Sequence, residues 1–208
     1  VGNGADAFLL GMDAKTGEAL GAPEVYDFSD GGRDIFQDLV ASPSNELILV
    51  GSSGTLGQEY PLIAFASGDG VVSDWANYAD DGIGSLYDIT LAGDHAIVCG
   101  NQGSFIQQVA LVRTLDAATG EPIGDSETFF PGAGWLYTGF KCLLTEDDTA
   151  LVIAGGIHRE DTTFDQHLLR YAYSSQSGSY QSIDASTTSF LAGYALTRDP
   201  ATGDVVTA

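Results

Sequence analysis

One phrase recurs along the chain: an apolar strand, a polar turn, a second apolar strand and then a glycine. "FQDLVASPSNELILVG" ends at Gly51, "LYDITLAGDHAIVCG" at Gly100 and "YTGFKCLLTEDDTALVIAG" at Gly155, while "LAGYALTRDPATGDVVTA" runs to Ala208. A second strand–turn–strand phrase lies between these. It reads "DAFLLGMDAKTGEALGAPEVYDF", "YPLIAFASGDGVVSDWANYAD", "QVALVRTLDAATGEPIGDSETFF" and "QHLLRYAYSSQSGSYQSIDAS". The unit is therefore about 50 residues long and holds four strands. This constrains the fold more than any other feature. A lone sheet of four short strands leaves its apolar faces bare, so each unit needs neighbours to bury them.

Four short strands per unit of about 40–50 residues is the pattern of a β-propeller blade. The expected fold is all-β, a β-propeller of about 50-residue four-stranded blades. Residues 1–208 then form a single propeller domain or a propeller segment. Blades are expected at about 33–81, 82–133 and 134–186, with a composite blade from 187–208 plus 1–32. If the termini share that blade, the ring has four blades. The alternatives are a piece of a longer array, and half-blades that pair with neighbouring molecules in a head-to-tail polymer. A two-sheet sandwich is the second choice, since a sandwich has no need of a sequence repeat. In the first strand of each unit, Leu39 and Ala41, Ile89 and Leu91, Phe140 and Cys142, and Tyr194 and Leu196 alternate. A period of two puts each pair on one face, where it should pack between blades.

A turn is also repeated: "MDAKTGEALG", "LDAATGEPIG" and "RDPATGDVV" share Asp-Ala/Pro-x-Thr-Gly. Asp opens such a turn by accepting bonds from nearby backbone N–H groups, and Gly closes it in the left-handed region. Asp13–Gly17 and Asp116–Gly120 occupy the same hairpin of two units, and Asp199–Gly203 a different one. The motif reads as hairpin punctuation. "DAFLLGMDAKTG" resembles the bacterial β-propeller repeat family built on Asp-Ala-Phe, and "LDAATGEPIG" resembles the turn of quinoprotein-type propeller repeats. The first resemblance implies a structural or extracellular role and no chemistry. The Trp that follows the quinoprotein turn is replaced in this region by Leu20 and Ile123, so no quinone cofactor is expected.

The charge balance narrows the partners. Lys and Arg number 7 against 29 Asp and Glu, for a formal net charge of −22. Nucleic acid and anionic membranes are held by clustered Lys and Arg, so neither is expected. Such a surface repels itself and attracts cations such as Ca²⁺. No apolar run approaches the roughly 18 residues of a membrane span, and no membrane insertion is expected. Residue 1 is Val and no leader is visible, which predicts a processed chain or an excerpt of a longer one. No Asn-x-Ser/Thr sequon occurs. Cys99 and Cys142 each sit in an apolar strand and are expected to be free buried thiols, with a disulfide as the alternative.

Candidate sites follow from the loops. Asp27, Asp30 and Asp34 in "DFSDGGRD" are the calcium candidates, against the simpler reading of a solvated acidic surface. Asp80 and Asp81, Glu146, Asp147 and Asp148, and Glu160 and Asp161 are further acidic groups. Asp38 and Asp88 take the same place in successive units and would face a central channel, but Gly139 and Gly193 stand there in the other two. His95, His158 and His167 fall in or beside separate loops and form no legible catalytic group. Trp75, Tyr78 and Trp135 would stack on sugars or pack between blades, packing being the commoner use. No catalytic residue is assigned. The expected function is a non-catalytic scaffold, extracellular or at the cell surface. It would make protein contacts (self or other) or glycan contacts, alone or in a larger polymeric assembly. The alternatives are a hydrolase or lyase with its site at a funnel mouth, and a calcium-dependent adhesion module.

Overall fold

The structure, a computed structural model, describes residues 4–78, 82–104, 107–129, 135–145, 149–158, 164–173, 177–187, 196–199, 201–202 and 204–207. It is all-β, with antiparallel sheets and no helix among the described residues. The chain divides into two compact units, residues 1–86 and 87–208.

The first unit opens with a two-stranded sheet, β1 (Ala7–Leu9) and β2 (Glu24–Tyr26). A four-stranded meander follows: β3 (Arg33–Ala41), β4 (Leu47–Thr55), β5 (Gln58–Ala66) and β6 (Val72–Asn77), in that spatial order. The inner two strands carry continuous apolar runs, "LILV" and "PLIAFA", rather than strict alternation. That pattern belongs to a strand buried on both faces. Accordingly Ile48, Leu49, Val50, Leu62, Ile63 and Ala64 are all fully buried. β6 is the edge strand, and it is mostly exposed.

One face of this sheet is covered by the first hairpin. Leu9, Phe28, Phe36, Leu47 and Val72 pack around Leu49, Ala64 and Ala66. Phe28 is the hub of an aromatic group, with ring centroids 5.7 Å from Tyr26, 5.7 Å from Phe36 and 5.1 Å from Trp75. Such pairs add about 0.5–1.5 kcal/mol each beyond area burial. Tyr26 also ties β2 to the β5–β6 turn. Its hydroxyl donates to the Gly70 carbonyl at 2.9 Å and accepts from the Val72 N–H at 3.0 Å.

The glycine that ends the repeated phrase has a local cause at Gly51. β3 is bulged between Phe36 and Asp38, and Gly51 pairs with Phe36 at the bulge. A Cβ on Gly51 would lie 1.8 Å from the Ile35 carbonyl oxygen, so only glycine fits. The expected packing of Leu39 and Ala41 does not hold. Leu39 shares the face of Leu49, its cross-strand partner, yet it is 49% exposed, and Ala41 is exposed too. The covering strands β1 and β2 are three residues each; Leu9 packs on the sheet core, and the Tyr26 ring meets Phe28 and Phe36.

The second unit holds two further four-stranded meanders. One is β7 (Gly84–Ala92), whose first three residues precede the unit boundary, β8 (His95–Gln102), β9 (Val109–Asp116) and β10 (Glu127–Phe129). The other is β11 (Trp135–Leu144), β12 (Thr149–His158), β13 (Phe164–Ala172) and β14 (Ser177–Thr187). A hairpin of β15 (Leu196–Arg198) and β16 (Val205–Thr207) ends the described chain. The two meanders share one core. Ile97, Cys99 and Val112 from the first meet Cys142, Ala150, Val152, Leu169 and Tyr171 from the second. Here Ile89 and Cys142 are buried and Leu91 is half-buried. β11 is bulged between Gly139 and Lys141, as β3 is between Phe36 and Asp38. The side chains of Phe140 and Leu196, and all of Tyr194, lie outside the described residues.

Candidate functional site

The repeated turns are the simplest polar feature. Asp13 Oδ1 accepts from the N–H groups of Lys15 and Thr16, and Asp116 Oδ1 from those of Ala118 and Thr119, at 2.8–2.9 Å. Thr16 and Thr119 each accept from the next residue but one, and Gly17 and Gly120 both have φ of 72°. Those donated N–H bonds hold both carboxyls below the usual carboxylate range. At the third turn the Ala201 N–H reaches Asp199 Oδ1 at 2.8 Å and the Asp204 N–H reaches Thr202 Oγ1. Every oxygen named in these turns serves the backbone, which marks them as structural.

A buried polar centre lies in the second unit. Ligand atoms of Asp88, Cys99 and Cys142 all fall within 4.8 Å of one another. Asp88 does not face solvent, as a channel-lining carboxylate would. It is 3% exposed, and its Oδ2 accepts the Cys142 N–H at 2.7 Å. Its Oδ1 accepts from the Lys141 ammonium. This stitches β7 of one meander to β11 of the next. Both cysteines are free and buried. Burial, the adjacent Cys99 thiol and the Asp88 carboxylate push the Cys142 thiol well above its ordinary value. A Cys142 thiol held protonated, beside a carboxylate already neutralised by lysine, makes a poor cation site.

The acidic loop of the first unit is arranged differently. Carboxylate oxygens of Asp6, Asp27 and Asp34 fall within 4.8 Å of one another. Asp27 accepts the Gly31 N–H at 3.0 Å, closing the loop. Asp34, at the start of β3, is 1% exposed. Its Oδ2 accepts the N–H groups of Phe28 and Ser29 at 2.9 and 3.3 Å. Asp30, with φ of 52°, helps turn the loop and is exposed; it is not one of the converging three. Asp6 is the residue that the sequence pattern missed. It arrives because the segment before β1 lies against the loop. The Asp34 N–H donates to the Ala5 carbonyl at 2.7 Å, and a Cβ on Gly4 would lie 1.5 Å from the Gly32 oxygen. The sequence trace of this approach is Gly4, where any Cβ would strike the Gly32 backbone.

The remaining candidates are scattered. His95 begins β8, half-buried, with its ring 6.2 Å from Tyr173. Trp75 packs on Phe28 while remaining 42% exposed, and the Tyr78 N–H donates to the Pro61 carbonyl. Asp38 is half-buried on β3. Trp135, His158 and His167 lie on β11, β12 and β13, and their side chains are outside the described residues. So are Asp80, Asp81, Glu146, Asp147, Asp148, Glu160, Asp161 and Gly193. Among the described residues no helix is long and apolar enough to cross a membrane. In comparisons with known proteins, the sequence matches no family model and no curated protein.

Proposed function

We propose that the chain is a non-catalytic β-propeller scaffold acting outside the cell or at its surface, through protein or glycan contacts. The observation that carries this is the succession of three four-stranded meanders, each joined strand to neighbour in chain order. Each corresponds to one blade. The core shared by the last two meanders supports this reading, since neighbouring blades must bury their apolar faces on one another. In the proposed ring the inner-type hairpin β15–β16 and the outer-type hairpin β1–β2 complete a shared fourth blade. The Asp-Ala-Phe and Asp-Ala-x-Thr-Gly resemblances support the same reading.

The polar centres support the scaffold role over an active site. The oxygens of the repeated turns serve backbone N–H groups, and Asp88 is buried against lysine. The acidic surface and the net charge of −22 suit an exported protein in a cation-rich medium. Light scattering of the purified chain tests the ring. The expected result is a monomer near 21.7 kDa, with a radius of gyration of about 17 Å in small-angle scattering. Mass that grows with concentration would replace the closed ring by pairing between copies. Turnover of any member of a glycoside and ester panel, surviving repurification, would overturn the non-catalytic reading.

A further inference from the structure

We infer that Asp6, Asp27 and Asp34 form a binding site for a hard divalent cation, with Ca²⁺ the best fit. Two independent observations point there. The first is the convergence itself, with three carboxylate oxygens from two chain segments within 4.8 Å. The second is Asp34. Its side chain is almost wholly buried, yet its Oδ1 has no hydrogen-bond donor among the described residues. The Ser29 hydroxyl on the same loop is likewise buried without a partner.

The adjacent arginine in the sequence does not pair with Asp34. Arg33 precedes Asp34, but its guanidinium turns to Glu59 at 3.6 Å. A buried carboxylate with one oxygen lacking a donor, and with two other carboxylates within 4.8 Å, is unfavourable by desolvation and by like-charge repulsion together. A bound cation removes both penalties at once. Hard oxygen donors select Ca²⁺ or Mg²⁺ over thiophilic metals. Asp6 and Asp27 are exposed, which leaves room for water to complete an irregular coordination shell. Ca²⁺ accepts six to eight ligands in flexible geometry, whereas Mg²⁺ demands a near-ideal octahedron. The protein groups are also preassembled. The Gly4–Gly32 approach and the Asp34–Ala5 hydrogen bond fix Asp6 beside the loop without any ion.

The test uses the whole 208-residue chain, stripped with chelator and held at constant ionic strength with NaCl. Constant ionic strength is essential because a chain of charge −22 is stabilised by any salt. CaCl₂ is titrated by calorimetry, and the thermal midpoint is followed up to about 10 mM, above the weakest extracellular Ca²⁺ modules. The expected result is saturable Ca²⁺ binding, tighter than Mg²⁺, with a rise in midpoint. Asp6→Asn and Asp34→Asn should each weaken Ca²⁺ binding at least about tenfold, since affinity follows the charge count of the ligands. Asp30→Asn should leave it unchanged. Asp6 is exposed and takes no part in holding the loop, so its variant reports on the site even if Asp34→Asn folds poorly. Equal binding in Asp6→Asn and the unaltered chain would overturn the site. So would the absence of any heat and any midpoint shift beyond that of NaCl.

Discussion

Tyr171→Phe should destabilise the second unit by about 1–3 kcal/mol, and Thr114→Val by a similar amount. The Tyr171 hydroxyl and Thr114 Oγ1 lie 3.1 Å apart, between β13 of one meander and β9 of the other. Both residues are fully buried, with no measurable exposure. Either substitution therefore leaves one hydroxyl in the interior with its partner gone. The cost is the desolvation of that orphan, which exceeds the net worth of an ordinary hydrogen bond. Shape is nearly conserved in both cases, so cavity terms are small and the polar term dominates. The double variant removes both hydroxyls and leaves no orphan. Its destabilisation should fall short of the sum of the singles by about 1 kcal/mol or more.

The assay is urea unfolding of the four proteins in a double-mutant cycle, with thermal midpoints as a second reading. A chain of this size shifts by about 2–4 °C per kcal/mol. Tryptophan fluorescence will mix the units, so amide hydrogen exchange of β9 and β13 should accompany it. The pH dependence has a definite sign. Burial pushes the Tyr171 phenol above the usual tyrosine range. Its contribution is present below about pH 10, the unfolded value, and is lost as the pH rises through the raised folded value. Tyr171→Phe should abolish that alkaline loss. Singles within about 0.5 kcal/mol of the unaltered protein, or a strictly additive double, would refute the account of two meanders locked by this pair.

Three further outcomes are expected. Gly51→Ala should cost about 3 kcal/mol or more, because its Cβ meets the Ile35 carbonyl. Gly17→Ala has open space and only its φ of 72° against it, so about 1–2 kcal/mol is expected; equal costs in denaturant unfolding would contradict the crowding argument. Cys99 and Cys142 should resist a chromogenic disulfide reagent at neutral pH and both react after unfolding. Native labelling at the unfolded rate would show that the thiols are not held buried as described. Asp13 and Asp116 should titrate below ordinary aspartate in carboxyl-resolved NMR. The stability they contribute is present above about pH 3.9 and is lost as the pH falls through their lowered values; ordinary titration would remove the turn hydrogen bonds from the account.

The strands and turns are legible in the sequence because their causes are local. Asp13, Thr16 and Gly17 bond only within their own turn, so the same letters at Asp116, Thr119 and Gly120 give the same geometry. Long-range properties are less legible. Alternation puts Leu39 on the face of Leu49, but it does not say how far a covering hairpin reaches. The bulges at Phe36–Asp38 and Gly139–Lys141 belong to strand pairing, and alternation alone does not place them, although Cys142 reaches the shared core that alternation assigns it. Asp38 and Asp88 look equivalent by position. Asp88 is met by a lysine and a backbone N–H from the adjoining meander, partners that its position in the repeat does not reveal.

The carboxylates make the same point in electrostatic terms. In a chain with 29 acidic and 7 basic side chains, cations are too few to neutralise most acids. Asp13 and Asp116 are exposed and are satisfied by backbone N–H groups of their own turns. Asp88 is buried and has one of the scarce lysines. Asp34 is buried as deeply, but only one of its oxygens is satisfied, and the adjacent Arg33 is engaged elsewhere. A fold that places a lysine at one buried aspartate and leaves charge at another uncompensated has put something else there, or bears the cost in stability. The spacing of Asp27 and Asp34 hints at this site, but its third member, Asp6, is brought in by the close approach of Gly4 to Gly32. That approach is tertiary, so the site becomes legible only in three dimensions.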